Sequence, residues 1–325
     1  MPLTDKIILI TGGTGSFGTA LTRVLLDEYN PRAIRIYSRG ELLQDEMARR
    51  FNDGRLRFLI GDVRDRDRLR RAMSGVDVVV HAAAIKQIPT AEYNPSEAVF
   101  TNINGAINVI DAALDTGVGK VMAIQTDKNC YPVNLYGATK LVAEKLFIQA
   151  NVYTGARKQI FSCVRYGNVI GSRGSVIPLF LQQGASGKVT VTDEHMTRFW
   201  LTLEQGVRFV IDCLGRMRGG EIFVPKIPSM KVVDIANAVA PEADVEIIGL
   251  RAGEKLHEML ISEEESAHTL EFDGYFVITP EFAFWGDGYR EQGDSSGGVP
   301  MERGRYSSDN NGWWLTKEEL RGLLG

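Results

Sequence analysis

Ile7-Ile8-Leu9-Ile10-Thr11-Gly12-Gly13-Thr14-Gly15-Ser16-Phe17-Gly18 is the stretch that decides the fold. A short apolar run rich in β-branched residues enters a turn in which Gly12, Gly15 and Gly18 form G-x-x-G-x-x-G, and Leu21, Val24, Leu25 and Leu26 then recur at helical spacing. Strand, glycine turn and helix follow directly on one another. A turn of this kind is tight, lets the backbone approach a pyrophosphate closely, and points the unpaired N–H groups of a helix N-terminus at the anion. A dinucleotide site is therefore expected here, built on Gly12, Gly15, Ser16, Phe17 and Gly18.

Outward from this turn the same alternation continues. Strands are expected over 33–37, 56–60, 76–81, 120–125 and 160–165, and helices over 41–51, 67–73 and 98–115, with a further one carrying Tyr136, Lys140, Ala143, Glu144 and Phe147. Continuous apolar strands alternating with helices imply an α/β fold, a doubly wound parallel sheet of Rossmann type covered on both faces. Beyond Gly167 the pattern loosens into a short helix over 175–183, a loop over 184–191 leading to a strand, a helix over 204–214, a strand over 221–224 and a helix over 232–239. The expected division is a nucleotide-binding domain over residues 1–165 and a smaller C-terminal substrate-binding lobe over 166–325, with the 204–214 helix folding back on the large domain. The Gly- and Ser-rich stretch 286–311 reads as a loop, mobile or ordered by a partner.

Composition bounds the function. With 37 Lys and Arg against 41 Asp and Glu, a net charge of −4, the chain has no surplus of positive charge for nucleic acid. Arg64, Arg66, Arg68, Arg70 and Arg71 are interleaved with Asp62, Asp65 and Asp67, which reads as a solvated, ion-paired helix face. No apolar run approaches the roughly 18 residues of a membrane span, so no membrane partner is expected. Cys130, Cys163 and Cys213 are odd in number and without C-x-x-C spacing, which suits a reducing, cytoplasmic setting. The histidines His81, His195, His257 and His268 show no metal-ligand spacing, and no metal is expected. His81 and His257 read as structural.

The cofactor is chosen at the end of the second strand. Tyr37-Ser38-Arg39 stands where an acidic residue would bind the ribose 2′-hydroxyl of NAD, and a hydroxyl beside an arginine suits a 2′-phosphate, so NADP is expected in preference to NAD. Asp62 and Val63 are placed to meet the adenine, and Ala82, Ala83 and Ala84 let the chain pass close to the cofactor. Thr126 ends the fifth strand, and Tyr136 and Lys140 follow four apart on one helix face. The spacing predicts a lysine ammonium beside a phenol, lowering its pKa and making it a base toward a sugar hydroxyl.

These residues stand in longer matching segments: Thr11–Gly18, His81-Ala-Ala-Ala-Ile-Lys-Gln-Ile-Pro89, Ala91-Glu-Tyr-Asn-Pro95, Thr126-Asp-Lys128, Asn134-Leu-Tyr-Gly-Ala-Thr-Lys140, the Arg165 to Ser175 run, Met196-Thr-Arg-Phe-Trp200 and Arg251-Ala-Gly-Glu-Lys-Leu-His-Glu258. On them the chain resembles the extended short-chain dehydrogenase/reductase superfamily and, more narrowly, is similar to the UDP-N-acetylglucosamine 4,6-dehydratase (inverting) family, which begins pseudaminic acid and related surface-sugar pathways. The resemblance implies a UDP-N-acetylhexosamine substrate, a homo-oligomer and a catalytic set of Thr126, Asp127, Lys128, Tyr136 and Lys140. In that set Lys128 removes the C5 proton and Asp127 protonates the departing 6-hydroxyl. It further implies that Asn168, Arg173, Arg198, Arg251 and Glu254 hold the nucleotide diphosphate and uridine, with Lys86 near the sugar. Lys128 would need a lowered pKa and Asp127 a raised one. Both could reach one substrate only if the strand has ended before them.

The chain departs from the family pattern at Asn129-Cys130-Tyr131 and at Gly40 and Leu43. Two other readings stay open at this point: a UDP-hexose 4-epimerase or ketoreductase of the same fold, and a non-catalytic NADP-binding regulator.

Overall fold

The computed structural model describes residues 3–155, 159–172, 175–282 and 297–324. Strands β1 (Ile7–Thr11), β2 (Ala33–Ser38), β3 (Leu56–Ile60), β4 (Val78–His81), β5 (Lys120–Thr126) and β6 (Ile160–Tyr166) are parallel in the order β3-β2-β1-β4-β5-β6. Helices α1 (Ser16–Val24), α2 (Glu41–Phe51) and α3 (Arg66–Met73) join them, followed by α4 (Ile88–Tyr93), α5 (Pro95–Val99), α6 (Gly105–Thr116) and α7 (Leu135–Gln149). Ile8, Leu9 and Ile10 of β1 and Val78, Val79 and Val80 of β4 are buried in one large core, because a parallel strand covered on both faces has no solvent side to which a polar residue could alternate. The strand order reverses between β1 and β4, so the crevice for a ligand opens at their C-terminal ends.

The long helix expected over 98–115 is broken. α5 passes into a π-helical turn at Phe100–Asn104 before α6 begins. The wide turn lets the buried Asn102 side chain reach back, accepting from Ile85 N–H at 2.8 Å and donating to Ile85 O at 2.9 Å and Thr139 Oγ1 at 3.0 Å. The loop after β4 is thereby tied to α7, as such turns often do near functional sites.

After β6 come β7 (Asn168–Ile170), α8 (Val176–Gly184), β8 (Lys188–Val191), β9 (Thr197–Thr202), α9 (Leu203–Arg216), β10 (Ile222–Pro225), β11 (Ser229–Lys231), α10 (Val232–Val239) and β12 (Asp244–Ile247). The remaining elements are β13 (Met259–Ile261), α11 (Glu263–Ser266), β14 (Thr269–Phe272), β15 (Tyr275–Ile278), β16 (Val299–Pro300), β17 (Tyr306–Ser307) and α12 (Lys317–Leu324). A second, smaller core gathers Ile177 and Phe180 of α8, Trp200 of β9, Ile235 of α10 and Leu320 of α12. Val207, Val210 and Ile211 of α9 instead enter the large core. β10 extends the parallel sheet beside β6, and β15, β14 and β16 continue it antiparallel, giving ten strands among the described residues. This extension was not expected from the pattern, because β14 and β15 are only four residues each and carry no helix between them.

The loop expected over 286–311 also differs. Residues 286–296 lie outside the described residues, but from 297 onward the chain carries β16 and β17, and Tyr306, Ser307 and Ser308 are buried. The Tyr306 hydroxyl donates to Ile227 O at 3.0 Å, which anchors this stretch in the fold. Among the described residues no helix is long and apolar enough to cross a membrane. Arg64 pairs with the interleaved Asp62, whereas Arg66 and Arg70 pair with Asp111 and Asp115 of α6, which only the fold brings beside α3.

Candidate active site

At the end of β1 the chain turns through Gly12 with φ +67°, and a Cβ there would lie 2.9 Å from Ala83 N, so only glycine lets this turn pack against the chain leaving β4. Ala82 N–H donates to Thr11 O at 3.2 Å, completing the contact. α1 starts at Ser16, and its N-cap Gly15 carries no side chain to cap the helix, whose N-terminal dipole faces the turn. This cradle fits the pyrophosphate of a dinucleotide. The Phe17 ring turns away from this cradle to pack against the large core.

Ser38 ends β2, its hydroxyl accepting from Gln44 Nε2 at 3.0 Å. The Arg39 guanidinium is exposed and lies 3.9 Å from Asp62, whose carboxylate also receives Arg64 at 2.7 Å. Burial pushes the Asp62 carboxyl up, but the two arginines outweigh it and hold it below its ordinary value. Val63 packs in the core against Gly105. These residues stand together at the outer end of the crevice.

The catalytic candidates converge at the end of β5. The strand stops at Thr126, and Asp127–Asn129 form one turn of 3-10 helix in which the Thr126 hydroxyl caps Lys128 N–H. Asp127 and Lys128 thus escape strand alternation. α7 begins at Leu135 behind the N-cap Asn134, whose Oδ1 accepts from Gly137 N–H at 2.8 Å. A side chain at Gly137 would run into the Lys128 carbonyl, so glycine is what lets the first turn of α7 dock against the Asp127–Asn129 turn. That docking brings the Tyr136 phenol within hydrogen-bonding reach of Thr126.

Lys128 Nζ lies 2.9 Å from Asp127 Oδ1, while Asp127 Oδ2 is buried with no hydrogen-bond partner among the described residues. Burial raises the Asp127 carboxyl above its ordinary value despite the adjacent ammonium. Lys128 does not meet the sequence expectation of a lowered pKa: burial works against its charge, but Asp127 and Glu258 outweigh burial and raise it. Tyr136 differs as well. Its phenol is raised by burial, and the influences that lower it come from Lys128 and Thr126. Lys140 Nζ donates to Ile124 O at 2.7 Å, and burial brings its pKa down to about 8.

The segment 251–258 folds over this turn. Lys255 Nζ donates to Cys130 O at 2.8 Å, and Gly253 O accepts from Asn134 Nδ2 at 2.8 Å. Glu254 Oε2 and Asn168 Oδ1 are buried atoms without a hydrogen-bond partner among the described residues, which fits groups awaiting a polar ligand. Arg251 is exposed at the rim, and Lys86 is exposed in the loop after β4. Arg198 faces backbone carbonyls. It is buried and donates to the carbonyls of Thr197, Lys255 and Leu256, because the 255–256 backbone passes within reach of β9. Arg173 lies outside the described residues. His81 shares a 2.8 Å hydrogen bond with Thr11, and burial takes its pKa down to about 3, a neutral structural ring.

Glu258 was not singled out in the sequence. It stands at the end of the Arg251 segment, and only the fold brings its carboxylate to Lys128, at 3.5 Å. The departure Asn129-Cys130-Tyr131 is also built in. Asn129 Nδ2 donates to Glu144 Oε2 at 2.8 Å and the Tyr131 hydroxyl to Glu264.

A parallel sheet reversing at β1 and β4, a glycine cradle there, and Thr126, Tyr136 and Lys140 beside it define an extended short-chain dehydrogenase/reductase. Within that class, residues 8–280 match the family described as polysaccharide biosynthesis protein, and the chain belongs to that family. It is 53% identical to a UDP-N-acetylglucosamine 4,6-dehydratase (inverting) of Campylobacter jejuni, over 98% of this chain and 97% of that one. It is 43% identical to a UDP-glucose 4-epimerase of Rickettsia prowazekii over 84% and 83% of the two chains. Among solved structures it matches Pen from Bacillus thuringiensis with a TM-score of 0.90 and 39% identity, covering 100% of this chain and 98% of that one.

Proposed function

We propose that the protein is a UDP-N-acetylglucosamine 4,6-dehydratase that inverts C5 and yields a UDP-4-keto-6-deoxy-N-acetylhexosamine. The observation that carries this reading is the pair of buried Asp127 and half-buried Lys128 in the turn after β5, beside Tyr136. Near-full-length identity to a dehydratase of that specificity supports it. Oxidation at C4 needs only Thr126, Tyr136 and Lys140, whereas losing water between C5 and C6 needs a base and an acid in addition.

A dinucleotide held at the Gly12, Gly15 and Gly18 cradle would supply the hydride acceptor for C4 and the hydride donor for C6, so the reaction would involve no net oxidation. Tyr136, oriented by Thr126, accepts the 4-hydroxyl proton. The C4 ketone makes the C5 hydrogen acidic, and Lys128 removes it. Asp127 gives its proton to the C6 oxygen, which leaves as water. Protonation of C5 on the opposite face completes inversion. The resting pair shares one proton across 2.9 Å, and moving it from Lys128 to Asp127 creates the base and the acid together. Burial favours that neutral form of the pair.

The test is NMR of the product from UDP-N-acetylglucosamine in deuterated water without added coenzyme. The expected product lacks the 6-hydroxyl, carries deuterium at C5 and has the inverted configuration there. C4 epimerisation is the second reading, favoured by the Rickettsia relative. Recovery of the C4 epimer with an intact 6-hydroxyl would establish it and sink the first.

NADP is the coenzyme in this reading, held at its 2′-phosphate by Ser38 and Arg39. Because Arg39 makes only a 3.9 Å pair at the surface, Arg39→Ala should leave folding intact. Calorimetric titration is expected to show NADP binding weakened by about tenfold or more while NAD binding changes little. Equal loss for both would remove the 2′-phosphate assignment. We also place the protein in the cytoplasm, where three free, buried cysteines are at home. A homo-oligomer is the proposed assembly, for which exposed Ile107 on α6 and Val142 on α7 offer apolar surface on adjoining helices.

A further inference from the structure

We propose that Glu258 is a positioning residue for Lys128, a second seat for its ammonium when Asp127 is protonated. The inference rests on the dehydratase reading. Glu258 immediately precedes β13 and is buried. Its Oε2 lies 2.9 Å from Lys255 Nζ, and its Oε1 lies 3.9 Å from Arg198 Nε and 3.5 Å from Lys128 Nζ. The two flanking cations are themselves fixed, Lys255 by Cys130 O and Arg198 by three carbonyls. The backbone is held too: Glu258 N–H donates to Ser308 Oγ at 3.0 Å, and Ser308 N–H donates to Glu258 O at 2.8 Å. With its backbone held and Lys255 and Arg198 flanking it, the carboxylate presents Oε1 toward Lys128.

A carboxylate kept ionised in a buried site is costly unless compensated. Lys255 and Arg198 compensate it, yet neither structural contact needs Lys128 as a third cation. The reaction does need it. When the C5–H bond breaks, its electron pair enters the C4 ketone system and its proton goes to Lys128 Nζ. The C6–O bond then breaks as Asp127 passes its proton to the leaving oxygen. Between these transfers Asp127 is neutral, and Glu258 is the carboxylate that faces the new ammonium. The charged and titratable groups facing Lys128 are Asp127, Glu258, Arg198 and Tyr136, with Lys255 behind Glu258.

The experiment compares the holoenzyme with Glu258→Gln and Glu258→Asp, using UDP-N-acetylglucosamine and following reduced-nicotinamide absorbance and product together. In Glu258→Gln, kcat is expected to fall roughly 10²-fold with KM changed little, while reduced nicotinamide builds up because Tyr136, and not Lys128, takes the 4-hydroxyl proton. Glu258→Asp should recover part of kcat. The alkaline limb of the kcat profile should move to lower pH in Glu258→Gln, since a carboxylate that favours the lysine's proton is gone. Should Glu258→Gln fail to fold, Lys255→Met decides, because it frees the Oε2 anchor and leaves Glu258 in place. A smaller loss with the same build-up is then expected. Unchanged kcat in the variants, or C4 oxidation falling in step with product, overturns the positioning role. A wild-type enzyme that releases no dehydrated product would instead overturn the dehydratase reading, and this inference with it.

Discussion

Replacing Tyr136 with phenylalanine is expected to lower turnover by about 10³-fold and to abolish reduced-nicotinamide formation, with folding intact. The phenol is buried beside Thr126, and the change removes one oxygen without altering the packing of the ring against Ala91 and Ala98. Thr126 Oγ1 keeps its bonds to Asp127 at 3.0 Å and to Lys128 N–H at 3.4 Å, so the turn after β5 should hold. What disappears is the oxygen to which the proposed mechanism assigns the 4-hydroxyl proton. Lys128→Met gives the contrasting result. It should lose a similar factor in product while reduced nicotinamide accumulates, because oxidation at C4 precedes the proton transfer that Lys128 performs. Single-turnover absorbance on the two variants separates the steps, and accumulation in Tyr136→Phe would show that another group serves as the first base.

The largest expected loss of stability lies behind the site, at Arg165. This arginine is fully buried, with Nη2 2.6 Å from Glu144 Oε1 and 2.8 Å from Glu265 Oε1, and Nη1 2.8 Å from Leu260 O. It joins β6, α7 and α11, and Asn129 hangs the catalytic turn from the same Glu144. Arg165→Met is expected to cost about 3–5 kcal/mol in guanidinium unfolding, because it strands buried carboxylates without a counter-ion. The double variant Arg165→Met with Glu144→Gln should cost less than Arg165→Met alone, since the penalty belongs to the orphaned charge. The pH dependence has a definite sign. Burial pushes the Glu265 carboxyl up, but Arg165 outweighs burial and takes it down to about 2 from 4.5. The stability it contributes is present above 4.5 and lost as pH falls through about 2. The gap between wild type and Arg165→Met should therefore narrow as pH falls below 4.5. A gap constant with pH would mean that packing, and not charge, carries the effect.

The features legible in the sequence were those whose cause is local. Strands β1 to β6 and helices α1, α2, α3 and α7 were each marked by an apolar run or a helical repeat, and the glycine turn by its place between them. The Asp127–Lys128 pair was marked by the family resemblance, and the condition that the strand end before them is met at Thr126. The antiparallel extension β15-β14-β16 was not visible, since strands of two to four residues have too little pattern to count. Nor was the π-turn at Phe100–Asn104, whose purpose is the distant bond from Asn102 to Ile85. Arg198, which the resemblance implies as a phosphate ligand, donates to the carbonyls of the 255–256 segment, contacts that no local pattern announces.

By itself, then, the sequence determined the alternation of strands and helices, the cradle of Gly12, Gly15 and Gly18, and the residue types that meet around Tyr136. Only the tertiary structure decided which charges those residues keep. Lys255 and Asp127 are 128 positions apart in the chain, yet Lys255, Glu258 and Arg198 set the field around the Asp127–Lys128 pair. Periodicity arises from neighbours along the chain and can be read there. A buried group's proton affinity arises from desolvation and from charges on distant segments, and neither exists until the chain has folded.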